Sequence, residues 1–414
     1  MARGLDKPAT VRVEALLEDS TVAACLRAFN RHRQWINEQH VALCRIPAPT
    51  FLEQQRAEWM LEQFRALGCD AHLDRSGNVV ARPKGYDTRP WVALTAHLDT
   101  VLAPRSPEEI TLAPDGRLLG PGVSDNGAGL AALLAVARAL EEAPPLADRR
   151  AGLLLVANVG EEGEGNLSGM RYLCRHSPVA GDLKALVVLD GPSTDHITCQ
   201  ALESRRFEIT ITGPGGHSWS DYGVGNPIHA LGRAVALLTE HGANGAEGPR
   251  VSYSFGMIEG GSSVNSIPAS ARAKVDIRSE SARRVEEMSA MLAAAVERAV
   301  AVENERATAG KVVARVREIG ARPGGRLPED APLLAYLRAV DAYLGIRSRL
   351  DCASTDANIP LSMGIPAVSI GAGGQGGGAH TLGEWYRPDG RDLGLKRILL
   401  TLFLLLRDPG VAAE

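Results

Sequence analysis

The chain has 414 residues, of which 45% are apolar and 23% charged, an ordinary globular composition with enough length for two domains. A formal net charge of −4 provides no basic footprint, which excludes nucleic acid as the main partner. The N-terminal stretch has no apolar signal-like segment and the longest apolar run, ILLTLFLLL at 398–406, is too short to span a bilayer, so no membrane and a cytoplasmic location are expected.

In chain order, Phe51 to Gly68 carries apolar residues at helical spacing with a glycine stop. A polar strand and turn follow at DRSGNVVARPKG. Apolar runs at 91–98, 152–158 and 185–189 then alternate with helical patterns such as LAALLAVARAL. Short runs that are apolar on both faces and separated by helices predict a mixed α/β fold, its largely parallel sheet covered by helices on both faces. In such sheets ligands gather beyond the carboxyl ends of the strands.

From about Ser204 the grammar changes. RRFEITIT and ARAKVDIR alternate with period two, NPIHALGRAVALLTEHG and the long SARRVEEMSAMLAAAVERAVAVENER read as helices, and VSYSFGMIEG and KVVARVREI as strands. The order β-α-β-β-α-β predicts an inserted α+β domain over 204–321, dividing the first domain into 1–203 and 322–414. ARPGGRLPED is the return linker, and GAGGQGGG before His380 is expected to be too flexible for a strand and to form a backbone wall.

Charged groups stand where these strands stop. His97 and Asp99 lie in TAHLDTV, Asp125 in a glycine-bounded turn before a helix, Glu161 and Glu162 after LLLVANVG, Asp190 after ALVVLD, and His380 after the glycine run. A buried strand that ends on a carboxylate or imidazole needs a partner for it, and a metal pair serves all of these together. Asp99 is placed to receive the second ring N–H of a ligating His97. Glu161 and Glu162 are adjacent, so their side chains diverge: one can bind metal while the other acts as a general base. Singly each piece has a plainer reading, as a surface pair, a solvated turn or a helix cap. Cys25, Cys44, Cys69, Cys174, Cys199 and Cys352 show no C-x-x-C spacing and read as reduced, mostly buried thiols. Cys352, just before STDAN, is the one alternative nucleophile.

Those segments, together with GPGGHS at 213–218, GGSSVNSIP at 260–268, VDIR at 275–278 and STDANIPLSMGIPAVSIG leading to AHTLGEW, resemble the M20 family of co-catalytic metallopeptidases and amidohydrolases over nearly the whole chain. The resemblance implies two divalent ions, zinc foremost and cobalt or manganese as substitutes. Asp125 would bridge them, with Glu162 and His380 on one ion and His97 and Asp190 on the other. It further implies Glu161 as general base, Asp99 as orienter of His97, and a cis peptide after Asp125. His217 would stabilise the oxyanion, reaching across a homodimer formed through the inserted lid, and Asn265 and Arg278 would bind substrate. The implied substrate is a small peptide, with an N-acyl amino acid as the alternative. The chain departs from many relatives in having Asp at 190 and Asn at 126.

Overall fold

The structure, a computed structural model, describes residues 9–240 and 248–409. The chain forms two compact units: the first runs to Ala201 and resumes at Gly325, and the second is Leu202–Gly324.

Among the described residues, unit 1 is organised on a nine-stranded sheet. In spatial order its strands are Asp70–Leu73, Val79–Arg82, Gly152–Asn158, Trp91–His97, Leu183–Leu189, Ala367–Ile370, His196–Ala201 and Gly325–Arg326, with Arg349–Ala353 also pairing to His196–Ala201. The four central strands from Gly152–Asn158 to Ala367–Ile370 run parallel. Every residue of Trp91–His97 and Gly152–Asn158 is buried, so both faces are covered, which is why these runs are continuously apolar rather than alternating. Their carboxyl ends coincide, with His97 opposite Asn158 in the register.

The helix Gly127–Glu141 packs against Trp91–His97 and Gly152–Asn158. Its Gly, Ala and Leu residues are buried nearly throughout, and the Asn126 side chain caps its start by accepting from Gly129 N at 3.2 Å. The final helix Arg391–Arg407 is buried almost as completely. The predicted helix after Phe51 is Gln54–Ala66, ended by Gly68 at φ +71°. No helix among the described residues is long and apolar enough to cross a membrane.

Unit 2 has the expected strand and helix order. Its four-stranded antiparallel sheet runs Val251–Gly260, Ser270–Ser279, Glu203–Thr212, Val313–Arg322. Buried and half-buried residues alternate along Ser270–Ser279, and the helices Pro227–Glu240 and Ala282–Arg306 cover the buried face.

One expectation is corrected. Within the glycine run, Gln375–Gly377 is a strand, antiparallel to Trp385–Arg387 in a second sheet of unit 1. Close approach explains the glycines there: a Cβ on Gly376 would lie 2.2 Å from Ser124 Oγ.

The buried final helix is joined to the half-buried helix Pro332–Leu344 by an ion pair. Arg397 donates through Nε and Nη2 to the two carboxylate oxygens of Asp341, at 2.6 and 2.7 Å. Removing one partner strands the other charge, so Asp341→Leu is expected to destabilise unit 1 by about 3–5 kcal/mol. Asp341→Leu combined with Arg397→Met should recover most of that loss, as read from thermal and urea unfolding midpoints.

Candidate metal centre

Strand ends bring the predicted residues of unit 1 together. His97 Nε2 lies 3.1 Å from Asp125 Oδ1, and His380 Nε2 lies 3.0 Å from the other oxygen of the same carboxylate, Asp125 Oδ2, and 2.9 Å from Glu162 Oε1. Ligand atoms of His97, Asp125 and Glu162 all fall within 4.8 Å of one another. Asp190 follows the neighbouring strand Leu183–Leu189, its backbone N donating to Ile370 O at 3.1 Å, and its carboxyl feels the charges of Asp125, His97, Glu161 and Glu162. His380 adopts φ +64°, a left-handed conformation costly for a non-glycine residue and one that clusters at functional sites. The peptide between Asp125 and Asn126 is cis.

The loops carrying these groups are held by other carboxylates. Asp99 is fully buried and accepts from Glu161 N at 3.0 Å, from Glu162 N at 2.9 Å and from Thr50 Oγ1 at 2.9 Å. Glu53 accepts from Gly160 N at 3.0 Å, so three successive amides of the Glu161–Glu162 turn are anchored. Gly160 sits at φ +66°, and a Cβ there would lie 2.1 Å from Ser168 Oγ. The other loop is held by Glu384, which accepts from Gly122 N at 2.7 Å, Ser124 N at 2.7 Å and Asp125 N at 2.8 Å. Sequence reasoning missed Glu384, although it stands in the AHTLGEW segment. Asn126 Nδ2 donates to Leu189 O at 2.7 Å, tying the Asp125 loop to the strand that ends at Asp190.

The donor set fits metal cations. His97 Nδ1 faces the Asp99 backbone carbonyl at 2.9 Å and its carboxyl at 3.5 Å. A carbonyl only accepts, so Nδ1 carries the proton and, in the neutral ring, the Nε2 lone pair points at a carboxylate oxygen. Two acceptors facing each other need a cation or a proton between them. Titration behaviour has the same origin: burial, then the charge of Glu161, raises Glu162 to about 7, and burial followed by the Asp125 charge lifts Asp190 well above the carboxylate range. Hydrogen bonding to Asp125 raises His380 to about 9, ahead of the charge of Glu162. For Asp99, burial pushes upward but its hydrogen bonds from His97 and the two backbone amides prevail, and the pKa is lowered. The cluster is short of positive charge.

A further buried acid stands behind Glu161. Asp356, in STDAN, is fully buried and accepts from Asn158 Nδ2 at 2.6 Å, while Asp356 Oδ1 and Asn158 Oδ1 have no partner among the described residues. Burial, then the Glu161 charge, raises it to about 7. Nearby, Cys352 is half-buried on the strand Arg349–Ala353. Burial holds the thiols of Cys25, Cys44, Cys69 and Cys174 up at about 12, far from a reactive thiolate.

In unit 2, His217 pairs with Ser266, and Ser218 N donates to Asn265 O at 3.0 Å, so His217 and Asn265 are neighbours. His217 is exposed, and its Nδ1 accepts from the backbone N of Trp219 and Ser220 at 3.2 and 3.3 Å, leaving Nε2 as the proton-bearing donor. Arg278 is not brought to them. It lies eight positions along the strand from Ser270, about 26 Å at strand rise, and its Nε donates to Asp276 Oδ2 at 2.5 Å.

A family model described as Peptidase family M20/M25/M40 matches residues 93–402, well over half of the chain. The chain belongs to this family. The M20 chain is 33% identical over 238 residues, 53% of its own length and 51% of the other's, to a probable carboxypeptidase of Aspergillus clavatus. It is 27% identical over 172 residues, 40% of its own length and 44% of the other's, to a succinyl-diaminopimelate desuccinylase of Ruegeria pomeroyi. It thus spans about half the length of these curated relatives. Among solved structures, a tripeptidase from Staphylococcus aureus superposes with TM-score 0.70 at 21% identity, over 91% of this chain and 98% of that one. A dinuclear metal binding M20 peptidase from Bacillus subtilis superposes with TM-score 0.64 at 15% identity, over 91% and 99%. At such identities these two matches speak for the fold.

The raised Asp356 pKa has a signed consequence. The folded chain holds a proton that the unfolded chain releases above about pH 4, so the contribution of this group to stability declines as pH rises from there to about 7. Asp356→Asn has no proton to lose. Its unfolding midpoint relative to wild type, measured on metal-stripped protein, is expected to climb between about pH 4 and 7 and to level off above that, and a flat difference would contradict the assignment.

Proposed function

We propose that this chain hydrolyses amide bonds of small peptides, as a tripeptidase- or dipeptidase-like exopeptidase working with two divalent cations. The observation that carries this reading is the Asp125 carboxylate, whose two oxygens face two different imidazoles, His97 at 3.1 Å and His380 at 3.0 Å. A carboxylate so placed suits a bridge. Glu162 and His380 would complete one ion and His97 and Asp190 the other, a set of one imidazole and carboxylate oxygens each that suits zinc and accepts cobalt or manganese.

When bound, such a pair of cations acidifies a water and polarises the scissile carbonyl. Glu161 accepts the proton of the attacking water and returns it to the leaving nitrogen. Its backbone N, held by Asp99 at 3.0 Å, keeps it beside the cluster without making it a ligand. Asp99 also keeps the His97 ring in one tautomer.

Substrate recognition falls to unit 2 in this reading. His217 offers its Nε2 proton to a developing oxyanion, Asn265 sits beside it, and Arg278 offers a forked guanidinium to a substrate carboxylate. The strand's length between Arg278 and the His217–Asn265 pair supports a homodimer in which each lid serves two sites, Arg278 at one and His217 with Asn265 at the other. The desuccinylase likeness favours N-acyl amino acids as the second substrate class.

Glu161→Gln is expected to lower turnover by about 10²–10⁴-fold while bound metal per chain, measured by elemental mass spectrometry, stays at the wild-type value. The substrate class is read by mass spectrometry of dipeptides, tripeptides and N-acyl amino acids incubated with metal-loaded protein. Chelation should abolish turnover and thiol alkylation should leave it intact; turnover that survives chelation and dies on alkylation would overthrow the metal reading in favour of Cys352.

A further inference from the structure

Unit 1 contains a second concavity, separate from the cluster. It has a volume of about 650 Å³ and is lined by residues of the helix Arg33–Cys44, by Leu112, Gly116 and Leu118, and by Tyr386, Pro388 and Arg391. That size is in the range of small-molecule sites.

Arg391 is its unusual feature. The residue is 7% exposed, yet its polar side-chain partners among the described residues are all neutral: Nε donates to Tyr386 Oη at 2.8 Å, Nη1 to Asn37 Oδ1 at 2.5 Å and Nη2 to His40 Nδ1 at 2.6 Å. Among the described residues no carboxylate pairs with it, and two of its five N–H groups find no partner. Arg397, on the same helix, is matched by Asp341, and the other fully buried arginine, Arg56, spends its charge on the carbonyls of Ile46 and Leu98. Arg391 instead lines the cavity, and also a smaller one of about 190 Å³ beside it. A buried guanidinium facing open space calls for an anion.

The remaining walls describe that anion. Val41, Ala42, Leu112, Leu118 and Pro388 supply apolar surface, while Arg45 adds a second cation and Glu38 one carboxylate. Inorganic anions gain nothing from such walls. A carboxylate with an aliphatic body satisfies both parts of the lining.

Occupancy has a physical route to the Asp125 loop. A guanidinium only donates, so His40 Nδ1 is the acceptor and Nε2 carries the ring proton, donated to Val123 O at 2.7 Å. Burial and the Arg391 charge keep this imidazole neutral. Helix and loop touch here without slack: a Cβ on Gly127 would lie 2.5 Å from Cys44 Sγ and 2.9 Å from His40 Nε2. Tyr386, which donates to Gly373 O at 2.9 Å, lies two residues from Glu384.

We propose that this cavity binds an organic carboxylate with an apolar body, held by Arg391, and that His40 transmits its occupancy to the loop carrying Asp125. The proposal is independent of the reaction assigned above, and it is tested on metal-stripped chain, where the cluster's cations cannot attract the probe. The probe is 4-methylpentanoate, followed by calorimetric titration and by hydrogen exchange of the amides of residues 122–125.

Wild type is expected to bind saturably with slower exchange at those amides. Arg391→Met should weaken binding by about 10- to 100-fold, the loss of a hydrogen bond to a charged group. Ala42→Trp, which fills the cavity and leaves Arg391 in place, should abolish it, and this variant carries the test if Arg391→Met fails to fold. Absence of binding to wild type, or undiminished binding to Ala42→Trp, overturns the site. Equal affinity for inorganic phosphate overturns the carboxylate assignment, and unchanged exchange at 122–125 on saturation overturns the coupling.

Discussion

Carboxylates that accept backbone N–H groups hold the candidate site in shape. Asp99 takes the amides of Glu161 and Glu162, Glu53 that of Gly160, and Glu384 those of Gly122, Ser124 and Asp125. Each such bond contributes about 1.5–3 kcal/mol when the acceptor is charged, and removing the acceptor strands several buried donors at once. The two loops that carry Asp125 and Glu162 are therefore set by groups distinct from the metal-ligand candidates. Fixing the loops first is what lets three strand ends and the Asp125 turn present their side chains toward one another without help from the groups being presented.

Much of this was legible because strand and charge are read from different properties of the chain. Trp91–His97 and Gly152–Asn158 are apolar at nearly every position and stop on His97 and just before Glu161, so burial and its interruption are both visible locally. Unit 2 was equally plain from period-two alternation along Ser270–Ser279. Glu384 was hidden because its partners lie some 260 positions away, and nothing in AHTLGEW distinguishes an acceptor for distant amides from a solvated acid. Asp356 was hidden in the same way: only the fold brings it against Asn158 and behind Glu161. The strand Gln375–Gly377 was misread because glycine argues against a strand by propensity, whereas here it is required by the approach of Ser124 and Trp385. Asn265 and Arg278, which the family resemblance implies as substrate-binding residues, are separated by an extended strand in unit 2.

The buried acids also separate by their neighbours. Burial is the largest influence on Asp99, Glu384, Glu162, Asp190 and Asp356 alike, and in each it favours the neutral form. Glu384 accepts three amides and is still raised, whereas Asp99 accepts two amides and ends lowered. The difference is the imidazole of His97 beside Asp99. Backbone dipoles alone do not offset burial at this depth; a nearby positive charge does.

The same rule applies to the cluster itself under the proposed function. His97 and His380 are its two cationic groups, and both lean on Asp125, which alone among the ligand candidates is held below its ordinary range. Glu162 at about 7 and His380 at about 9 keep protons near neutrality that a ligand must give up. Cation binding there is thus an exchange of protons for divalent charge, with affinity that weakens as the solution becomes more acid. Loops held by Asp99 and Glu384 keep their geometry through that exchange, since neither of those carboxylates is consumed by it. The fold in this way assigns structural and chemical duties to different acids, although the acids are neighbours in space and alike in type.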